Sequence, residues 1–286
     1  MFSISFHSKR LVPILQCFPM IFQWKMVANL QKGMYHEIFS SICEQAEKRD
    51  ILVSVSQFRV DFEHPCIKAL QDVYPEANVE CCFFHFAQAH WRKIGDLGLR
   101  MRYVEDENFA ISLRMFTTLA FVPQDAVFAV FVELCEAIPE AAHEFIPYME
   151  ATYIGAYRYK SRTKPDGSMV FERQWREPLF EPSLWNVRAR TLANEPRTNN
   201  HLEGWHRCFK TIVDKHHLNI FEFVNKLRGE QARTETTVEQ LVASANPMQV
   251  RQKVKKVNTR LLKIVTEYEN RTAMDFLREI TYNIRY

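Results

Sequence analysis

The first 49 residues of this 286-residue chain contain no aspartate. Their only acids are Glu37, Glu44 and Glu47, so a site built from aspartates must draw on Asp50 and residues beyond it. No stretch reaches the ~20 consecutive apolar residues that a membrane-spanning helix needs, which argues against a membrane protein. The seven cysteines, at positions 17, 43, 66, 81, 82, 135 and 208, form no regular framework. Their odd number argues for reduced thiols and a cell-interior setting. Lys9-Arg10 followed by Leu11 to Phe22 has the order of a signal peptide. Pro13, Pro19 and Gln16 interrupt that run and no small-x-small cleavage site comes cleanly after it, so the reading is against secretion. Neither an internal repeat nor a low-complexity stretch is present.

What is present is an ordinary globular composition, 47% hydrophobic and 25% charged, enough for one large domain or two smaller ones. A net charge of +3 is too small to define a partner, so its distribution matters more than its total. Arg158, Lys160, Arg162 and Lys164 form one basic group, and Arg188, Arg190 and Arg197 form another. From Arg251 to Lys263 there are six basic residues and no acid. All three suit a phosphate backbone. For the last of them, a solvated helical face is an equally good reading.

Periodicity gives a coarse order of elements. Phe2 to Phe6 and Leu11 to Phe18 read as two strands of a hairpin. Met34, Ile38, Ile42 and Ala46 share one face of a helix over residues 34 to 49. Ile51 to Val60 reads as a strand that presents Asp61 at its carboxyl end. A short helix over Cys66 to Tyr74 comes next, and then a strand from Ala77 to Phe84 that delivers Cys82 and His85. Strands alternating with helices predict an α/β sheet. Helical stretches at Phe109 to Leu119 and Ala126 to Ala137, broken at Pro123, Pro139 and Pro147, predict an all-helical segment. Residues 161 to 182 read as a loop or small hairpin. Asn199 or Asn200 caps a helix carrying Glu203 and running to about Lys215. An amphipathic helix from Ile220 to about Val242 comes after it, then the basic segment and a final helix.

A carboxylate at the end of a sheet strand points into the crevice where open α/β folds bind ligands. Read alone, Asp61 is more often a cap or turn residue, and Glu203 a solvated helix face. Their company changes this. Asp61-Phe62-Glu63, Cys82-Phe83-Phe84-His85 and the string Thr198-Asn199-Asn200-His201-Leu202-Glu203-Gly204-Trp205-His206, preceded by Trp185-Asn186 and Arg197, resemble the Mutator-like element (MULE) transposases. The resemblance spans Leu11 to about Gln231.

That resemblance implies an α/β, ribonuclease-H-like fold, an incomplete mixed sheet flanked by helices, with an all-helical insertion and a helical C-terminal tail. Residues 1–90 and 183–218 would form the catalytic core, 91–182 the insertion and 219–286 the tail. The family's Asp, Asp, Glu triad holds Mg²⁺ or Mn²⁺ for DNA strand cleavage and transfer. Asp61 and Glu203 match the second and third acids and would be the catalytic and metal-binding pair. Cys82, His85, Asn200 and His206 match the accessory signature, and Arg188, Arg190, Arg197 and Lys210 would meet DNA. The residues before Asp50 offer nothing for the first acid, which implies a truncated, catalytically defective transposase, with a non-catalytic, transposon-derived DNA-binding or interaction protein as the alternative. DNA as partner, self-association and a nuclear location go with the family. The opening strand of such a sheet lies centrally, so its loss predicts unpaired backbone along the Asp61 strand, and aggregation or a borrowed strand. Cys82-x-x-His85 supplies two of the four ligands that structural zinc needs. His90, Cys81, His201, His206 and Cys208 are the candidates to complete it, and on ligand count a buried cysteine with a polar histidine is the preferred reading.

Overall fold

A computed structural model of the chain describes residues 3–5, 31–50, 54–164, 166, 168–198, 209, 211–212, 219–244 and 252–284. Among these residues the fold is mixed α/β and mostly helical, with a three-stranded sheet and a two-stranded one. No helix among the described residues is long and apolar enough to cross a membrane. The chain divides into two compact units, one of residues 1–80 with 199–250, the other of residues 81–198 with 251–286.

The first unit contains β1 (Ser3–Ser5), α1 (Lys32–Glu47), β2 (Gln57–Val60), α2 (His64–Val73) and α10 (Ile220–Ser244), the last numbered by its place in the chain. β3 (Asn78–Cys81) completes its sheet in the order β1-β2-β3, and the division between the units falls within this strand. β1 runs antiparallel to β2 in the register Ser3↔Arg59, Ile4↔Phe58, Ser5↔Gln57. The neighbour position on β2 that was expected to stand open is therefore taken by Ser3–Ser5. Leu11 to Phe18, the expected hairpin partner, lies outside the described residues, as do Ile51 to Val53. Among the described residues β2 begins at Gln57, because Ser54 to Ser56 are not in strand, so it is shorter than the strand expected from alternation.

Alternation survives where it matters. Phe58 and Val60 are both 1% exposed and face the core, while Arg59, on the other face, is ion-paired with Glu80 of β3 at 3.6 Å. Phe58 packs on Tyr74, and Tyr74 on Phe39, which joins strand and both helices in one apolar layer. The buried stripe of α1 is Tyr35, Phe39, Ile42 and Ala46, with Met34 and Ile38 half-buried. That stripe is turned by one residue from the expected face because the two large aromatic rings claim the interior and the smaller side chains move to its margin.

The second unit opens on α3 (Phe83–Asp96), capped at Cys82. β3 thus stops at Cys81, and Cys82 and His85 belong to a helix start rather than to a strand end. α4 (Arg100–Glu105), α5 (Glu107–Thr118), α6 (Val127–Ala137) and α7 (Ile146–Met149) come next, with 3₁₀ turns between α5 and α6 and between α6 and α7. Asp106 caps α5 by accepting the Phe109 amide hydrogen at 3.0 Å. From Phe109 onward α5 is buried almost all round, as the central helix of a bundle must be. A short π-helical stretch and Gly155 lead into β4 (Ala156–Thr163) and β5 (Met169–Arg176). Of the loop or small hairpin expected over 161 to 182, a hairpin forms, but it has two eight-residue strands and begins earlier, at Ala156. After it come α8 (Pro182–Trp185), α9 (Arg188–Leu192), α11 (Gln252–Thr266) and α12 (Ala273–Asn283). Trp185, fully buried, stacks on Phe86 at 5.0 Å and donates its indole hydrogen to Tyr153 O and Phe180 O.

The division differs from the one expected along the chain. α3 goes with the helical unit because Phe86 and His90 are packed within it, and residues 251–286 part from 219–250.

Candidate functional site

Asp61 comes directly after the last residue of β2, half-buried, with its Oδ1 shielded from solvent. Its carbonyl accepts the Glu63 amide at 2.8 Å, a tight turn that ends the strand and starts α2. Glu63 stands at the N-terminus of that helix, where the unsatisfied amides favour a carboxylate. Its Oε1 accepts the Tyr35 hydroxyl at 2.5 Å, which ties α1 to the turn beside Asp61. Burial first, and then the Glu63 carboxylate, push the Tyr35 phenol above its usual pKa, so it stays a donor at any physiological pH. Two carboxylates thus sit on one short turn, one of them committed to fixing its shape.

Glu203, Asn200, His206 and Lys210 lie outside the described residues. Asp61 and His85 belong to different compact units, and each is placed only within its own. Among the described residues no group of three or more His, Cys, Asp or Glu side chains is disposed to hold a metal ion. The described residues alone therefore do not complete a Mg²⁺, Mn²⁺ or zinc centre.

Cys82 is 1% exposed at the N-cap of α3, and His85 is half-buried in its first turn, its ring edge-on to Phe84 at 5.4 Å. Cys43 and Cys135 are free thiols. Burial pushes the Cys135 thiol up to about 12, which leaves it unreactive as a nucleophile. His90, a candidate zinc ligand on sequence grounds, is fully buried. Its Nδ1 lies 2.7 Å from Thr117 Oγ1, and Phe86, Phe145, Tyr148 and Tyr153 surround the ring. Burial pushes its pKa down to about 3, so the imidazole is neutral. It is a packing residue.

The arginines expected at DNA are held by the protein itself. Arg190 is 3% exposed and donates to Cys81 O at 3.1 Å. Arg197 donates to Asn258 Oδ1 at 2.7 Å, and burial followed by the neighbouring Arg190 charge lowers its pKa. Arg188, half-buried, lies over the Tyr268 ring at 5.0 Å. A phosphate backbone cannot reach Arg190 while this fold is closed. Trp185 and Asn186 are likewise structural, the latter donating to Val122 O at 2.8 Å.

Exposed positive charge lies elsewhere. On α11, Leu261, Ile264 and Val265 face inward, while Lys255, Lys256, Arg260 and Lys263 are exposed and make no ion pair among the described residues. At 100° per residue these four fall within about 140° of arc, one continuous cationic face. The second exposed group is on the β4–β5 hairpin. The first was legible as a run without acids, and the second as a basic cluster, but which side chains face water required the packing. Compared with known proteins, the chain matches no family model, no curated protein and no solved structure.

Proposed function

We propose that this chain is a derivative of a Mutator-like transposase catalytic region, ribonuclease-H-like in its α/β unit, that binds DNA without carrying out strand cleavage or transfer. The observation that carries DNA binding is the face of α11, four exposed cations with no acid among them on a helix anchored by its opposite side. Such a face attracts a polyanion by releasing counterions from its phosphates. The transposase ancestry is supported by the sequence resemblance and by the order strand, Asp61, helix, strand, in which β2 is the middle strand of its sheet. The lack of chemistry is inferred from the acids. Asp61 and Glu203 match two of the three positions that the family uses, and two carboxylates hold its metal ions less completely than three.

The test is duplex binding across salt. The intact protein should lose affinity steeply between 50 and 200 mM salt, with a log–log slope of about −0.9 for each phosphate contacted. Replacing Lys255, Lys256, Arg260 and Lys263 by Gln should flatten that slope by about 3 to 4, since each side chain accounts for about one phosphate. Duplex binding that is absent, or unchanged in the fourfold variant, would overturn the assignment.

A further inference from the structure

The β4–β5 hairpin divides its chemistry between two faces. The register Tyr157↔Trp175, Tyr159↔Arg173, Ser161↔Phe171, Thr163↔Met169 puts every odd-numbered residue on one side. That side carries Tyr157, Tyr159, Phe171, Trp175 and Met169, with one cation, Arg173, directly across from Tyr159. The even side carries Arg158, Lys160, Arg162 and Arg176 with one acid, Glu172, and Arg158 is ion-paired with Glu150 at 2.9 Å. Among the described residues, only the base of the aromatic face has a ring partner elsewhere in the fold. Trp175 and Tyr157 meet Phe128 of α6 at 5.4 and 6.4 Å. Arg173, on the same face, lies over the Tyr157 ring at 3.7 Å. Beyond them Tyr159 is 73% and Phe171 63% exposed, diagonal neighbours across the two strands. Neither ring touches another aromatic ring or cation among the described residues.

Two bare rings on a ribbon that buries almost nothing do not serve the core. The charge around them says what they meet. Residues 156–176 hold six basic side chains and two acidic ones, so the ribbon attracts a polyanion. A duplex hides the π-faces of its bases, whereas a single strand offers them, and unpaired bases stack on exposed aromatic rings regardless of sequence. Arg173 on the ring face and the long Lys and Arg side chains of the other face are the cations available to the phosphates.

The geometry points to the hairpin as a stacking platform for single-stranded DNA, with Tyr159 and Phe171 as the base-contacting rings. This rests on the DNA-binding reading above but uses residues separate from α11. It adds a role the duplex surface does not have, which is capture of DNA whose bases are unpaired.

The experiment compares a labelled oligo(dT) and a duplex of equal length on the full chain and on its Tyr159→Ser/Phe171→Ser variant. Both positions are exposed, and thermal melting of the variant at the parent's midpoint shows that the fold is kept. The expected result is a loss of about 100-fold in oligo(dT) affinity, about ten-fold per ring, with duplex affinity changed less than about two-fold because α11 carries it. If duplex binding persists but oligo(dT) affinity is unchanged, the platform is refuted and the DNA-binding assignment stands. If the intact chain binds neither, both fall. A dimer that becomes monomeric in the variant would assign the rings to a second copy of the chain, and preferential binding of the matching oligo(U) RNA would assign them to RNA. Either result overturns the proposal.

Discussion

At the scale of single residues, His90 makes the sharpest claim. A buried neutral imidazole with a pKa of about 3 must be compared with about 6.5 in the unfolded chain. Well above pH 6.5 neither state binds the proton and stability is unaffected. As pH falls below 6.5 the unfolded state takes it up and the folded state does not, so stability is lost progressively down to about pH 3. At pH 5.5 that loss is about 1.4 kcal/mol. Urea unfolding at pH 7.5 and 5.5 should therefore show a drop in the parent that exceeds the drop in His90→Gln by about 1 kcal/mol, and equal drops would remove His90 as the cause. Tyr35 offers a second check. Tyr35→Phe deletes the hydrogen bond to the Glu63 carboxylate while keeping the ring, and should cost about 1.5 kcal/mol in the same assay. A neutral result would mean that the turn holding Asp61 does not depend on α1. Neither role was visible along the chain. His90 reads as a ligand because its type and spacing from Cys82 are visible, while Thr117 and the aromatic box are supplied from distant positions.

At the scale of elements, periodicity located the helices well, because a helix's stripe is written in its own residues. The helix over residues 34 to 49, and those starting near Phe109 and Ala126, all appear within a few residues of the expected bounds. Strand ends were harder to place. Cys82 looks like strand from its apolar neighbours, yet Phe83, Phe86 and Ala87 are also one side of a helix, and that packing prevails. The hairpin is a similar case. Its basic residues were legible, but the alternation of Tyr157, Tyr159 with Arg158, Lys160 sorts them onto two faces only once the strands are paired. Gly155 sets where that hairpin begins. Its φ is +87°, and a Cβ there would lie 2.3 Å from the Trp175 ring. Gly155→Ala should cost about 2 kcal/mol or more from backbone strain and displacement of the ring. A fall in melting temperature with altered tryptophan fluorescence would show it. An unchanged melt would mean that the hairpin base is not fixed by Trp175.

At the scale of the whole molecule, the chain passes between two units more than once, with residues 199–250 returning to the first and 251–286 to the second. Boundaries drawn along a sequence miss this because contacts between distant segments leave no local mark. Charge is different, since it is legible wherever it clusters, but burial decides its use. Arg190 and Arg197 are spent inside the fold, and Lys255, Lys256, Arg260 and Lys263 are left facing water. Under the proposed function, the protein holds DNA and does not cut it. The most direct measurement mixes the purified chain with supercoiled plasmid in Mg²⁺ and then in Mn²⁺, and monitors binding and nicking in the same samples. The plasmid should be retarded at low salt and stay supercoiled, because two matched acids do not make the family's three. Nicking by the intact chain that disappears in Asp61→Asn would contradict this account, since it would show a working carboxylate site at the end of β2.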